Sequence, residues 1–559
     1  MAVKPSHWRE RLLARWAVAR PHLIFVLALL FIDVVVNLRY PGYEQSFWYL
    51  TPSVDVVAVF AYFALFGWKG WRVPRLLRVV LVFLLFFVRL LRLGDGVQEK
   101  YFSQSFNLYT DLPLVGELVR FAHSTLPGWR FAAGAAAAVV ALVGIVVACY
   151  AALGYAERYL SHGPNALVFA AIAGLSFVAV SPVGQDPEYA DHWFGGLAVS
   201  AVPRIKHEVR FLYNVSARRS ERMQAIAQAQ RRLEKTPSNL AKLHHANVYL
   251  IFVESYGRTV FDRPFFTARA RERFETFESD LVDRGFAIVS GTITSPTYGG
   301  HSWLAHTTLA TGIQVADELQ YELVSASKPK TIARIFHDAG YRTVLAAPGT
   351  TREWPKGEFY QFDAKYYLWN FGYAGPDYAW ATMPDQFVLD FVRRSELKEP
   401  KGPLFIQYNL VSSHAPWSDL PTVVNDWDKL GNGALFETQQ RMKYPIVWPY
   451  FENASQAYID SIMYDFEVLK RYITQYVLDD SLVIILGDHQ PVAEVNGRTQ
   501  FTGVPVHVLS RDGALVEPFA ARGFGRGMWP PNRFSYAPMS SFLVNLLQDY
   551  STREETPAP

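Results

Sequence analysis

Two apolar patterns divide the chain. The first third carries long, nearly uncharged runs at Pro21–Leu38, Phe47–Trp68, Val79–Leu93, Phe131–Leu153 and Ala166–Val183. Each approaches the ~20 residues a membrane-crossing helix needs. So few charges fall inside them that the buried helices of a soluble domain are a poor explanation. The pattern predicts an α-helical membrane domain of five transmembrane helices over 1–185, with Asp33 and Asp55 facing the bundle interior. No small-residue cleavage site follows the first run, and further runs succeed it, which argues against a removed signal peptide.

From residue 247 the pattern changes to short β-branched runs alternating with amphipathic stretches. Strands are predicted at 247–253, 286–293, 341–347, 403–411, 481–487 and 504–509. Helices are predicted at 264–284, 302–310, 330–339, 385–398, 454–477 and 540–547. Alternation of this kind argues an α/β domain over 245–550, with a largely parallel sheet covered by helices on both faces. The intervening 186–244 reads as a juxtamembrane linker. Its Pro203–Pro237 stretch, rich in Arg, Lys, Gln and Ala, predicts an amphipathic helix that either connects through solvent or rests its basic face on anionic headgroups. The polar tail 551–559 is expected to be disordered.

Basic residues set the orientation. Lys4, Arg9, Arg11, Arg15 and Arg20 precede the first run, and Lys69, Arg72, Arg75 and Arg78 fill the connection between the second and third. Both clusters belong on the cytoplasmic side, and an odd number of spans then exports everything after about Ser181. Arg89 and Arg92 are expected to snorkel to the outer interface, with binding of lipid headgroups the alternative. The connection Asp95–Trp129 contains an amphipathic stretch, Leu114–Phe121, suited either to the membrane interface or to ordinary loop packing.

Composition adds little to this division: hydrophobic residues make up 50% of 559 residues, and the net charge is +3. So small a charge, with no nucleic-acid motif, speaks against nucleic acid as a partner. Cys149 is the single cysteine, so no intramolecular disulfide can form.

The chemistry gathers where the apolar runs end. Asn247–Tyr256, NVYLIFVESY, stops on Glu254, and Ser481–His489, SLVIILGDH, stops on Asp488 and His489. Between them, SGTITSPTYGGHSWLAHTTLATG turns at Gly299-Gly300 and enters a helix with Ser302 in its first turn. Carboxylates and an imidazole at strand ends, with a hydroxyl at a helix N-terminus, make an oxygen- and nitrogen-rich site for one divalent metal. The helix N-terminus favours an anionic group arriving there.

At these residues the sequence resembles the alkaline phosphatase and sulfatase superfamily, especially its membrane-bound branch of lipoteichoic acid synthases, phosphoglycerol transferases and phosphoethanolamine transferases. The resemblance spans roughly Asn247–Tyr550. It implies a sulfatase-like extracytoplasmic domain in which Glu254, Ser302, Asp488 and His489 hold one Mn or Zn ion, with Mg the third choice. It implies Ser302 as nucleophile. Counting back from Thr311-Gly312 by the short helix of sulfatases lands on Ser302, with His306 where sulfatases keep Arg. Thr294 is the alternative nucleophile, since Thr294-Ser295-Pro296-Thr297 mimics the sulfatase motif.

His414, in PLFIQYNLVSSHAPW, corresponds to a His beside the transferred phosphate, followed by Pro416 and Trp417. Arg352, Trp354 and Lys356 fall where lipoteichoic acid synthases line a headgroup pocket, with Lys356 in an Arg position. His306, one turn after Ser302, either shares its face or is a polar neighbour, and the latter is the better reading of His301. His507 alternates on a late strand, toward the core or just behind the ligands. In Ser418–Phe451, Trp427, Tyr444, Trp448 and Tyr450 offer flat faces for sugars or the packing of a lid.

The function implied is a transferase moving a phospholipid headgroup onto a glycan or glycolipid, from a multi-pass protein of a bacterial inner membrane with its catalytic domain outside. A phosphate or sulfate ester hydrolase is the alternative in the same class. A catalytically inactive, lipid-sensing regulator is the alternative outside it, and retention of the whole Glu, Ser, Asp and His set argues against that one.

Overall fold

The computed structural model describes residues 6–38, 53–102, 106–125, 128–167, 169, 171, 193–194, 197–198, 201–217, 219–378, 382–417, 419–446, 454–533 and 535–552. The chain divides into two compact units, residues 1–100 with 104–218, and residues 219–559 with 101–103.

The first unit is helical: α1 Ser6–Asn37, α2 Val54–Trp68, α3 Arg75–Phe102, α4 Leu108–Thr125, α5 Gly128–Leu160 and α6 Ala201–Ala217. Two helices among the described residues are long and apolar enough to cross a membrane, Trp8–Asn37 and Gly128–Leu160, and Asp55–Trp68 is a shorter apolar helix. Two of the five predicted runs thus meet this measure among the described residues, and five spans are not confirmed. The Val79–Leu93 run lies inside α3, a helix that also carries Arg89, Arg92, Asp95 and Glu99, and most of Ala166–Val183 lies outside the described residues. Phe25, Ile32, Phe60, Phe63, Leu153 and Leu160 form the buried seam of α1, α2 and α5. Val139, Val140, Val143 and Val147 on α5 stay exposed, as a lipid-facing surface requires.

Asp33 is buried as expected, and its Oδ1 accepts the Ser53 backbone N–H at 2.7 Å. Arg92 departs from expectation. It is buried and paired with Asp95 at 3.4 Å instead of snorkelling. Arg204 on α6 meets the same carboxylate at 2.9 Å and Glu208 at 2.6 Å. A carboxylate within reach satisfies the guanidinium without extending the chain to the interface. Arg89 donates to the Leu38 carbonyl. The Leu114–Phe121 stretch lies within α4, whose first turn is capped by Asn107 Oδ1 accepting from the Tyr109 and Thr110 amides at 2.9 and 3.3 Å.

The second unit begins with α7, Arg219–Glu234. Ile226 and Leu233 are buried, and Arg222 pairs with Asp317 at 3.0 Å. The Pro203–Pro237 stretch, read as one helix, thus contains α6 in the first unit and α7 in the second.

A nine-stranded sheet organises this unit. Its strands are β1 Asn247–Val253, β2 Ala287–Thr294, β3 Arg342–Ala347, β4 Ala364–Tyr367, β5 Leu404–Asn409, β6 Ser481–Gly487, β7 Gly503–Ser510, β8 Gly525–Arg526 and β9 Ala537–Pro538. Their order is β8-β2-β7-β6-β1-β5-β3-β4, with β9 beside β2. All six expected strands form. From β6 to β4 the pairing is parallel, whereas β7 runs antiparallel to β6 and β2 antiparallel to β7. Between β6 and β7 the chain makes one helical turn, Ala493–Asn496, and returns directly. A parallel neighbour needs a full crossover, usually a helix. Every residue of β6 and β7 is buried, so both faces of the central sheet are covered.

The covering helices start where the sequence supplies caps. Pro264 opens α8, Pro264–Val282. Asp317 accepts the Gln320 amide at 2.8 Å before α10, Glu318–Ser327, and Thr331 accepts the Arg334 amide at 3.2 Å before α11, Ile332–Asp338. The helix α9, Ser302–Thr311, follows the Gly-Gly turn. Farther along the chain come α12, Asp385–Val392, and α13, Ser455–Gln475. Trp427 of the 418–451 insertion is buried against Tyr472, with ring centroids 6.1 Å apart, and Tyr444 donates to Asp460 at 2.6 Å. Those two rings pack the insertion down rather than offering open faces for sugars. Trp448 and Tyr450 lie outside the described residues.

Candidate metal and nucleophile site

The register of β1 against β6 builds the site. These strands pair in parallel from Asn247↔Ser481 to Val253↔Gly487. Glu254 and Asp488 are each the next residue, so both carboxylates leave the sheet at the same level on adjacent strands. Gly487 permits this, because a Cβ there would sit 1.8 Å from the Tyr256 carbonyl oxygen. Ser255 adopts a φ of 58° just past Glu254 and gives its backbone N–H to Asp488 Oδ1 at 2.8 Å. The His489 amide donates to the same oxygen at 2.7 Å.

Ser302 arrives from the other side. Gly299 and Gly300 take φ of 66° and 153°, and His301 follows at 61°. The glycines reach positive φ without steric cost, and the turn starts α9 on Ser302 with no side-chain cap. The Ser302 hydroxyl donates to Glu254 Oε2 at 2.9 Å and stands 3.2 Å from His489 Nε2. The Leu304 amide already closes onto the His301 carbonyl at 2.9 Å, and the amides that open a helix favour an anion.

His489 Nδ1 meets the Gln490 carbonyl at 2.8 Å. A carbonyl only accepts, so Nδ1 carries a proton and Nε2 faces the carboxylates, 3.1 Å from Glu254 Oε1 and 3.6 Å from Asp488 Oδ2. One ligand atom each from Glu254, Asp488 and His489 lie within 4.8 Å of one another. Burial pushes Asp488 up to about 7, and the Glu254 charge adds to it. Burial works against the charged form of His489 as well, but Asp488 and Glu254 prevail and raise it to about 9. Burial opposes the Glu254 charge too, yet the His489 charge and hydrogen bond, with His414 nearby, hold it below the ordinary carboxylate range.

These groups fit a divalent cation. Asp488 Oδ2 is buried with no hydrogen-bond partner, and two carboxylates, an imidazole nitrogen and a hydroxyl suit a borderline metal such as zinc or manganese. Carboxylates this close repel unless a cation or a proton lies among them.

The other sequence-predicted residues are placed as follows. Thr294 ends β2, paired with Gly503 and Pro538, and the next residue, Ser295, turns its hydroxyl to the Asp488 carbonyl at 2.5 Å. No hydrogen bond joins Thr294 to Glu254 or His489 among the described residues. His414 stands half-buried on the loop after β5, its Nδ1 donating to the Ala415 carbonyl at 2.5 Å. The neighbouring Ser413 hydroxyl donates to the Glu254 carbonyl at 2.7 Å.

Trp417 does not offer a ring to a ligand. It is 1% exposed, packs edge-on to Tyr458 at 5.4 Å and donates its indole N–H to the Ser413 carbonyl at 2.5 Å. Lys356 is exposed but lies 3.2 Å from Glu322 and 3.7 Å from Glu318, so its charge is already matched by carboxylates. Trp354 packs over Gly357 and against Tyr360 at 5.5 Å, and Arg352 is exposed on the same loop. Glu318 also accepts the indole N–H of Trp303 at 3.1 Å, which ties that loop's partners to the helix carrying Ser302. His507 belongs to the core. Tyr256 and Ser290 flank its ring at 2.8 and 2.7 Å.

Sequence reading missed Ser255, Ser413 and Gln490, each adjacent to a residue it named. It also missed the buried Asp385, whose carboxylate accepts the Val411 and Ser412 amides at 2.9 and 2.7 Å and so holds the His414 loop. Adjacency was an available clue for the first three, but Asp385 lies 26 residues from Val411.

Residues 246–516 match the sulfatase family model. Among solved structures, the lipoteichoic acid synthase LtaP from Listeria monocytogenes is 14% identical, over 54% of this chain and 72% of that one, at a TM-score of 0.36. The C-terminal periplasmic domain of EptC from Escherichia coli, in complex with Zn, is 14% identical over 57% and 83%, at 0.33. The phosphoglycerol transferase GacH from Streptococcus pyogenes, in complex with sn-glycerol-1-phosphate, is 12% identical over 60% and 91%, at 0.33. No curated protein matches the chain. Glu254, Ser302, Asp488 and His489 all lie within the stretch that matches the sulfatase family model.

Proposed function

We propose that the protein is a membrane-anchored, metal-dependent phosphotransferase. It takes a phospho-headgroup of the phosphoglycerol or phosphoethanolamine type from a membrane phospholipid and passes it to an envelope glycan or glycolipid. It does so outside a bacterial inner membrane, through a covalent adduct on Ser302. The observation that carries this reading is the Ser302 hydroxyl at the start of α9, hydrogen-bonded to Glu254 and beside His489.

Glu254, Asp488, His489 and Ser302 are the residues to hold the cation. When bound it supplies Lewis-acid stabilisation of charge on the phosphoryl oxygens and lowers the pKa of the Ser302 hydroxyl. In the first half-reaction Ser302 Oγ forms a bond to phosphorus, its proton is released to solvent, and the bond from phosphorus to the diacylglycerol oxygen breaks. His414 gives that oxygen a proton. In the second, an acceptor hydroxyl attacks phosphorus, passes its proton back to His414, and Ser302 departs and is reprotonated. Amides at the α9 start receive the phosphoryl oxygens throughout. Water in place of the acceptor makes the same site a hydrolase.

A lipid donor suits a chain with two span-length helices. The outward side of α6 supports the same setting. Arg204 and Glu208 point inward to Asp95 and to each other, whereas Val209, Leu212 and Tyr213 are exposed beside Lys206 and Arg210. Apolar and basic side chains sharing one helix face suit an anionic bilayer interface.

The test is mass spectrometry of the intact protein after incubation with mixed bacterial phospholipids. A mass added to the Ser302 peptide identifies the headgroup, and an unmodified protein under conditions where the lipids turn over overturns the covalent route.

A further inference from the structure

One buried ring nitrogen near the site has no hydrogen-bond partner among the described residues. His306 lies one helical turn after Ser302 on α9 and so shares its face. Its ring packs on Phe252 with centroids 4.4 Å apart, two residues before Glu254. Its Nε2 is buried without a hydrogen-bond partner. Burial, opposed by the Glu254 charge and aided by that of His489, lowers its pKa to about 4, so the ring is neutral at working pH and carries a single N–H.

Neighbouring amides decide which nitrogen carries it. Asn409 ends β5. Its Oδ1 accepts from Gln407 Nε2 at 3.0 Å, and Gln407 is 2% exposed. This bond turns Asn409 Nδ2 toward His306 Nδ1 at 3.4 Å. With the two amides in this orientation the Asn409 nitrogen donates, which assigns the lone pair to Nδ1 and the proton to Nε2. Two side chains two positions apart on β5 therefore orient a histidine on a different element, leaving Nε2 without a partner among the described residues. Burying such a donor is unfavourable unless a ligand atom pairs with it.

We propose that His306 is a substrate-binding residue whose Nε2–H donates to a phosphoryl oxygen of the group held at Ser302, with Asn409 and Gln407 as positioning residues that fix its tautomer. The assignment rests on the phosphoryl-transfer reading. It leaves the metal-binding set unchanged.

The experiment uses the full chain in detergent micelles, loaded with metal, and orthovanadate as the phosphoryl mimic. His306→Phe keeps the ring against Phe252 and removes the N–H. It should weaken vanadate binding about tenfold to a hundredfold, the range for one hydrogen bond to a charged group, at unchanged metal content. His306→Gln restores a donor and should bind closer to the parent. In the 15N-histidine-labelled protein, the His306 resonance, identified by its loss in His306→Phe, should report the Nε2–H tautomer, and Asn409→Leu should mix the two tautomers and weaken vanadate binding. Tight vanadate binding by a metal-loaded His306→Phe, or an Nδ1–H ring in the parent, overturns the inference. If His306→Phe loses its metal, the parent tautomer and His306→Gln still decide. A parent that binds no vanadate and forms no adduct overturns the phosphoryl-transfer reading instead.

Discussion

The Ser302 hydroxyl donates to Glu254 Oε2 at 2.9 Å, although 48 residues separate the two in sequence. The contact singles out Ser302 among the hydroxyls of the 290–312 stretch. Ser302→Ala should abolish turnover and adduct formation while metal stays largely bound. Thr294→Ala should cost little. The loss should far exceed the roughly 10²- to 10⁴-fold expected for deletion of a general acid such as His414. Initial rates on a fluorescent lipid donor compare the three variants, and near-normal turnover by Ser302→Ala with loss in Thr294→Ala would move the nucleophile upstream.

Metal retention depends on the two carboxylates and the imidazole together. Asp488→Ala and Glu254→Ala should each lose stoichiometric metal and activity, since removing one ligand from so compact a set leaves the others unable to close around the ion. Elemental analysis of purified protein checks this. Full occupancy in Asp488→Ala contradicts the ligand assignment, and a parent protein that purifies without metal favours an inactive regulator.

Gly487 is required by close backbone approach. Its missing Cβ accommodates the Tyr256 carbonyl at 1.8 Å from the ideal Cβ position, so Gly487→Ala must push apart the turn after β1 and the end of β6. The expected result is a loss of several kcal/mol in stability, in the upper part of the range for single substitutions, with weakened metal binding from the displaced Asp488. Thermal unfolding and metal content measure the two effects, and an unchanged Tm argues that the turn relaxes freely.

His507 should make the catalytic domain acid-sensitive. Burial lowers its pKa to about 3, against roughly 6.5 in an unfolded chain. The folded ring stays neutral where the unfolded one takes up a proton, so its contribution is fully present above about pH 6.5 and is lost as pH falls toward 3. The slope for this one proton is about 1.4 kcal/mol per pH unit. His507→Gln should be less stable at pH 8, because Tyr256 and Ser290 lose their partner, yet should show a shallower decline between pH 6 and 4. Denaturant unfolding across that range reads the difference, and parallel slopes refute it.

Orientation is testable on its own. With the amino terminus cytoplasmic, the domain from about Asn247 lies outside. A carboxy-terminal alkaline phosphatase fusion should be active and a green fluorescent fusion dark, and the reverse pattern overturns the topology.

Much of the catalytic fold was legible in the amino-acid order. Runs such as NVYLIFV and SLVIILG are buried on both faces, and unbroken β-branched and apolar sequence is what such strands require. Because each run ends on a charged residue, Glu254 and Asp488-His489 were readable as ligand candidates, and Gly299-Gly300 marked the turn before Ser302. Tertiary structure decided the rest. Whether β7 lay parallel or antiparallel to β6 depended on how the chain returned, not on the strand's own residues. Trp417 and Trp427 look alike in sequence to rings that stack on ligands, but burial among Tyr458 and Tyr472 makes them core. The snorkelling expected of Arg92 gave way to Asp95, three residues on in the same helix, a carboxylate that Arg204 also meets in the folded unit. The contact of His306 with Asn409 joins residues 103 positions apart. Periodicity reports which face of an element is buried, because that follows from local spacing; which groups then meet across the sheet is fixed by register and packing between distant segments, and no local pattern encodes it.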